Sequence, residues 1–112
     1  MTSTETNKQN QIPQHFQERI QAVKDKKIRQ LDLSNLLSRD DQKLTEIPSE
    51  VWELEQLAVL NLSGNQLIII PESITKLTNL TELNLSGNQL IIIPESITKL
   101  TNLSMLDLRG NQ

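Results

Sequence analysis

The strongest constraint on this chain is that it repeats itself. Residues 57–79 read LAVLNLSGNQLIIIPESITKLTN and recur as residues 80–102, differing only at Ala58/Thr81 and Val59/Glu82. A third copy opens at Leu103 as LSMLDLRGNQ and reaches Gln112, while a diverged copy starts at Ile28 as IRQLDLSNLL and resumes as LTEIPSEVWELEQ. That first unit is 29 residues long, six more than the 23-residue period, and the excess is placed at residues 38–43. Units of this length repeated in register stack on one another, each burying the apolar face of its neighbour. The composition suits thin layers of this kind. Of 40 apolar residues 31 are Leu or Ile, against one Phe, one Trp and no Tyr.

Within a unit, Leu60 and Leu62 alternate with Asn61 as a half-buried strand requires. Ser63-Gly64 then turns the chain, and Pro71 opens a short helical turn at residues 72–77, where a first-turn proline gives up no needed hydrogen bond. Leu67, Ile70, Ile74 and Leu77 are assigned to the core. Ahead of the repeats, Ile12, Phe16, Ile20 and Val23 recur at helical spacing behind Pro13, which predicts a helix over residues 12–27. It is read as a lid on the first repeat, because a stack exposes its core at each end; the competing use is an amphipathic helix for a partner. Residues 1–11 are polar and are expected to form a disordered tail.

The spacing of Leu57, Leu60, Leu62, Asn65 and Leu67 fits L-x-x-L-x-L-x-x-N-x-L, and Leu80 to Leu90 fit it again. This resembles the leucine-rich repeat in its 23-residue form. The resemblance implies a right-handed α/β solenoid, a short horseshoe arc with a parallel sheet on its concave face. Asn65, Asn88 and Asn111 would then stack as a ladder inside successive turns, each amide satisfied by its own and the adjacent coil. In the first unit Leu36 falls at the ladder position with Asn35 one place early, so the ladder starts at Asn65 or the insertion shifts the register. The run from Arg19, RIQAVKDKKIRQLDLS, followed by LTEIP, is similar to the opening of the repeat region of bacterial Roco-type proteins, where a Ras-like GTPase domain follows. The repeats of Ras-binding scaffold proteins are similar too. No Gly-x-x-x-x-Gly-Lys-Ser/Thr loop occurs in the chain.

Several chemistries are unavailable. Without Cys there is no disulfide frame, thiolate metal site or cysteine nucleophile, and His15 alone supports neither a catalytic triad nor a two-His metal site. A net charge of −3 makes no case for nucleic acid or an anionic membrane. Residues 1–11 lack the apolar region of a signal peptide, so a cytoplasmic location is expected. No cofactor, metal or catalytic residue is assigned. Glu82 and Asp107 on neighbouring strands form the one imaginable carboxylate pair, and an open sheet gives them neither burial nor exclusion of water.

The expected function is therefore a non-enzymatic protein-interaction module, the alternatives being a regulatory repeat fragment of a Roco-type GTPase, as the resemblance implies, and a structural self-assembly unit. The resemblance places Val59, Asn61, Glu82, Asn84, Met105, Asp107 and Arg109 on the concave face as candidate binding residues. The outer end of the last repeat, with Ile93, Ile97, Leu100, Leu106 and Leu108, is expected to be uncovered and to mediate a homodimer. Two other features stand out. Trp52 occupies the place of Thr75 and Thr98 and is expected to be half-exposed over its neighbours, or else to anchor a partner. Ile68-Ile69 and Ile91-Ile92 stand where the family usually has polar residues; either one of each pair packs inward, or they form an aliphatic stripe.

Overall fold

The computed structural model describes residues 13–35 and 42–112. Helix α1 (Gln14–Lys26) is followed by four parallel strands, β1 (Gln30–Asp32), β2 (Val59–Asn61), β3 (Glu82–Asn84) and β4 (Met105–Asp107), paired in chain order. Between strands the chain returns through 3₁₀ turns at Ser49–Glu53, Glu72–Lys76 and Glu95–Lys99, each entered through a proline. A tight 3₁₀ turn suits a return path that must close within a few residues.

The strand register carries the repeat arithmetic into three dimensions. Val59 pairs with Glu82 and Glu82 with Met105, 23 residues apart, whereas Gln30 pairs with Val59, 29 residues on. The central leucines Leu31, Leu60 and Leu83 point inward and are at most 1% exposed. Hydrogen bonding continues past the strand ends, from Leu62 N–H to Asn84 O (2.8 Å) and from Gly64 N–H to Ser86 O (2.9 Å). The turn that follows needs glycine. Gly110 has φ +75°, and a Cβ there would lie 3.1 Å from the Gly87 backbone nitrogen of the coil before.

Helix α1 lays Phe16, Ile20 and Val23, one face of 3.6-residue periodicity, onto the first coil, and Phe16 is wholly buried. Arg19 Nη1 donates to the Asp32 carbonyl at 2.9 Å, fixing the helix to the end of β1. The chain leaves α1 through Lys27 in the left-handed region (φ +52°), and the Ile28 N–H returns to Val23 O at 3.2 Å. The expected tail and Ile12 lie outside the described residues, as do Leu36 and residues 38–41 of the insertion.

Candidate interaction surface

Asparagine side chains bind one coil to the next. Asn88 Oδ1 accepts the Leu67 N–H at 3.0 Å, while its Nδ2 donates to Leu62 O and Leu85 O, each at 3.0 Å. Asn111 repeats the pattern one coil later on Leu90 N–H, Leu85 O and Leu108 O. Asn65 does so one coil earlier on Leu44 N–H, Leu33 O and Leu62 O. Asn88 and Asn111 reach back 26 residues to the preceding coil's carbonyl, and Asn65 reaches back 32. All three accept an N–H from 21 residues back, so the six extra residues lie between Leu33 and Leu44.

The ladder begins at Asn65, and a different device closes the first coil. Asn35 is buried and its Nδ2 donates to Gln42 O at 2.6 Å. Lys43, the last residue of the insertion, turns its Nζ inward to Asn35 O and, at 2.7 Å, to Gly64 O. A second amide series went unread in the sequence. Gln56, Asn79 and Asn102 donate to the carbonyls of Ile28, Glu55 and Thr78 in the coil before, at 2.9–3.1 Å. Their 23-residue spacing was the available signal.

The concave face offers less than its columns suggest. Asp32, Asn61 and Asn84 each spend Oδ1 on the backbone N–H and hydroxyl of the serine two residues on, at 2.6–3.0 Å. These Asx turns end the strands, so the column is committed to local structure. Asp107 does the same with Arg109, whose guanidinium also grips it at 3.0 and 2.7 Å. The Arg109 side-chain hydrogen bond holds the Asp107 carboxyl below its ordinary value, and Asp107 raises Arg109 in turn. Glu82 and Asp107 are therefore not assembled as an acid–base pair: Glu82 faces Met105 in register, and Asp107 is engaged with Arg109. Of the candidate concave residues, Val59, Glu82 and Met105 present side chains outward, with Val59 half-buried and Met105 41% exposed. Among the described residues no group of three His, Cys, Asp or Glu is placed to hold a metal ion, and no helix is long and apolar enough to cross a membrane.

Two expectations, on Leu100 and Trp52, need correction, and one open alternative, on the isoleucine pairs, is decided. Leu100 is only 4% exposed, because the turn into β4, closed by Leu103 N–H to Leu100 O at 3.0 Å, folds over it. Ile97, Leu106 and Leu108 are partly buried against the core, and Ile93 is 38% exposed. Trp52 is 8% exposed and belongs to the core, unlike half-buried Thr75 and exposed Thr98. The end of α1 reaches the turn at Ser49–Glu53, where Lys24 meets Glu53 at 3.8 Å. The isoleucine pairs send neither member inward. Leu67 and Ile70 take the core positions, leaving Ile68, Ile69, Ile91 and Ile92 51–72% exposed.

Those four form an aliphatic stripe across the second and third coils, roughly 400–500 Å² and within the range that a monomer leaves in water, while Ile93 stands at the place of buried Ile70. The first coil ends the stripe, since Thr45 and Glu46 occupy the places of Ile68 and Ile69. There an open groove of about 560 Å³ runs between Thr45, Glu46, Ile47, Ile68, Ile69 and Pro71.

The leucine-rich repeat model matches residues 37–90 and 69–112. Similar solved structures include the following two. A leucine-rich repeat protein of Leptospira interrogans is 30% identical over 85% of this chain and 28% of its own, with a TM-score of 0.65. An internalin, InlF, of Listeria monocytogenes is 35% identical over 62% of this chain and 20% of its own, with a TM-score of 0.56. The chain thus matches about a quarter of the length of these proteins. No curated protein matches it. Leucine-rich repeats are generally protein-interaction modules and typically non-enzymatic scaffolds. The coiled parallel sheet, the asparagine ladder and the family match converge, and the chain belongs to the leucine-rich repeat family.

Proposed function

We propose that this chain is a non-enzymatic interaction module that engages a protein partner chiefly through the isoleucine stripe. One observation carries the reading: four isoleucines at positions that stacking does not require to be apolar are more than half exposed. Burying such a side chain contributes roughly 1.5–3 kcal/mol, so a partner covering the stripe gains several times that before the costs of association. The test compares the proteins retained from a cell extract by the parent and by a variant carrying Ile68→Thr/Ile69→Glu and Ile91→Thr/Ile92→Glu. That variant copies Thr45-Glu46, which the same fold already holds in its first coil. A partner identified on the parent and lost on the variant is the expected result; identical capture by both sinks the assignment.

A narrower reading has the chain associate with itself through the outer edge of β4. Ile97, Leu103, Leu106 and Leu108 are only partly buried there, and a strand edge is a template for further pairing. With Leu100 covered, its aliphatic contribution is smaller than the sequence suggests. Sedimentation of the parent and of Leu106→Lys/Leu108→Glu tests it: this reading requires a dimer that the variant loses, and a dimer that the variant keeps refutes it. The Roco-type context and the cytoplasmic location belong to this proposal as well. They are supported by the Arg19–Ser34 run and by the residues 1–11 composition respectively.

A further inference from the structure

We infer that the partner seated on the isoleucine stripe is a second copy of this chain, in a two-fold pair whose axis follows the stripe. This rests on the reading of the stripe as an interaction surface and adds the identity of what covers it.

The flanks of the stripe make it self-complementary in polarity. Each coil crosses it in the same direction, so its flanks differ: Gln66 and Gln89 precede the isoleucines, and Glu72 and Glu95 follow Pro71 and Pro94. Gln89, Glu72 and Glu95 are exposed and Gln66 half-buried. Two copies facing each other can be related by an axis across the stripe or along it. An axis across the stripe sets glutamate against glutamate on one flank, two like charges opposed. An axis along it sets the glutamine flank of each copy against the glutamate flank of the other, where an amide N–H₂ donates to a carboxylate. The second arrangement also sets each coil of the stripe against the same coil of the partner. Glu46 puts a charge at the upstream limit of the line, so the contact centres on the second and third coils.

The area sets the strength. A standard interface buries about 800 Å² per partner, of which the stripe supplies roughly half and its flanks with Pro71, Pro94 and Thr45 part of the remainder. The pair is accordingly of the small, transient class.

Sedimentation equilibrium from about 5 to 500 µM tests this, with far-UV circular dichroism and Trp52 fluorescence confirming that each variant is folded. The parent is expected to be dimeric at the top of the range. The variant with Thr-Glu at both isoleucine pairs should weaken the pair by roughly tenfold or more, while Leu106→Lys/Leu108→Glu leaves it unchanged. Gln66→Lys/Gln89→Lys, which sets ammonium groups against the opposing glutamates, should tighten it by roughly threefold in low salt and lose that gain in high salt. A parent monomeric throughout overturns the second copy as occupant and leaves the extract comparison to decide the stripe's role. A dimer abolished by the β4-edge variant and untouched by the stripe variant overturns the inference and assigns the contact to the edge. A stripe-dependent dimer weakened by the lysines overturns the axis.

Discussion

Replacing Asn88 by Leu tests the reasoning about the ladder most directly, because the side chains are alike in size and only the hydrogen bonds are lost. Asn88 is 6% exposed. Its loss leaves the Leu67 N–H without an acceptor, since Asn88 Oδ1 is its hydrogen-bond partner in the structure. A buried orphan of this kind costs about 1–3 kcal/mol. The carbonyls are less affected. Leu62 O keeps the Asn65 amide and Leu85 O keeps the Asn111 amide, so each loses one of two donors. At about 0.5–1.5 kcal/mol per ordinary hydrogen bond, and with some return from the added apolar surface, Asn88→Leu should destabilise by about 2–4 kcal/mol. That is a large share of the roughly 5–15 kcal/mol that holds a domain folded. Asn111→Leu should cost about half as much, because its site is only partly buried and water can reach the groups it abandons. Urea denaturation followed by circular dichroism and by Trp52 fluorescence measures both. Coincidence of the two probes matters, because stacked repeats can uncouple when a central interface is weakened. If Asn88→Leu unfolds within about 0.5 kcal/mol of the parent, or if Asn111→Leu costs as much, the accounting by orphaned groups is wrong.

Phe16→Ala should cost about 3–5 kcal/mol by urea denaturation, since a wholly buried ring joins α1 to the first coil. A cost below about 1 kcal/mol would show that α1 is a dispensable appendage. Lys43→Met should destabilise by about 1–3 kcal/mol through the abandoned Asn35 and Gly64 carbonyls, and a variant as stable as the parent would put Lys43 in solvent. For Asp107, whose folded-state value is lowered by Arg109, the pair's stabilisation is present above the unfolded carboxyl's pKa. It is lost as pH falls through the lowered folded value. The Arg109 guanidinium is largely in water, so the effect is small, and titration by NMR is the measurement. Arg109→Ala should move the Asp107 midpoint up toward an ordinary carboxylate, and an unmoved midpoint would refute the pairing.

The helix over Phe16, Ile20 and Val23 and the strand positions were legible because each obeys a fixed local period, and the ladder followed from the resemblance that the spacing carries. Leu60, Leu83 and Asn88 recur at one spacing, and a residue at that spacing has one place to go in a stack. The first coil was harder to read because its insertion breaks the period. Nothing in Ser-Arg-Asp-Asp-Gln-Lys announces that its terminal lysine would turn inward to cap two carbonyls. The concave face was legible as a set of columns but not as chemistry. Asp32, Asn61, Asn84 and Asp107 read as outward polar residues, and whether such a side chain faces a partner or folds back on the next turn depends on the backbone after the strand.

The sequence by itself determined the architecture, because a 23-residue period with leucines at fixed offsets admits one economical way to bury them. Tertiary structure decided what that architecture displays. In the run Leu67–Ile70 the repeat pattern put Leu67 and Ile70 in the core but left open whether Ile68 or Ile69 joins them. The coil has inward room for two, at Leu67 and Ile70, because the chain must next reach Pro71 and the 3₁₀ turn at Glu72–Lys76. The same closure admits Trp52 where Thr98 stays in water, and covers Leu100 where an open end was expected. Burial is a property of the space left between coils, and that space exists only once the coils are stacked.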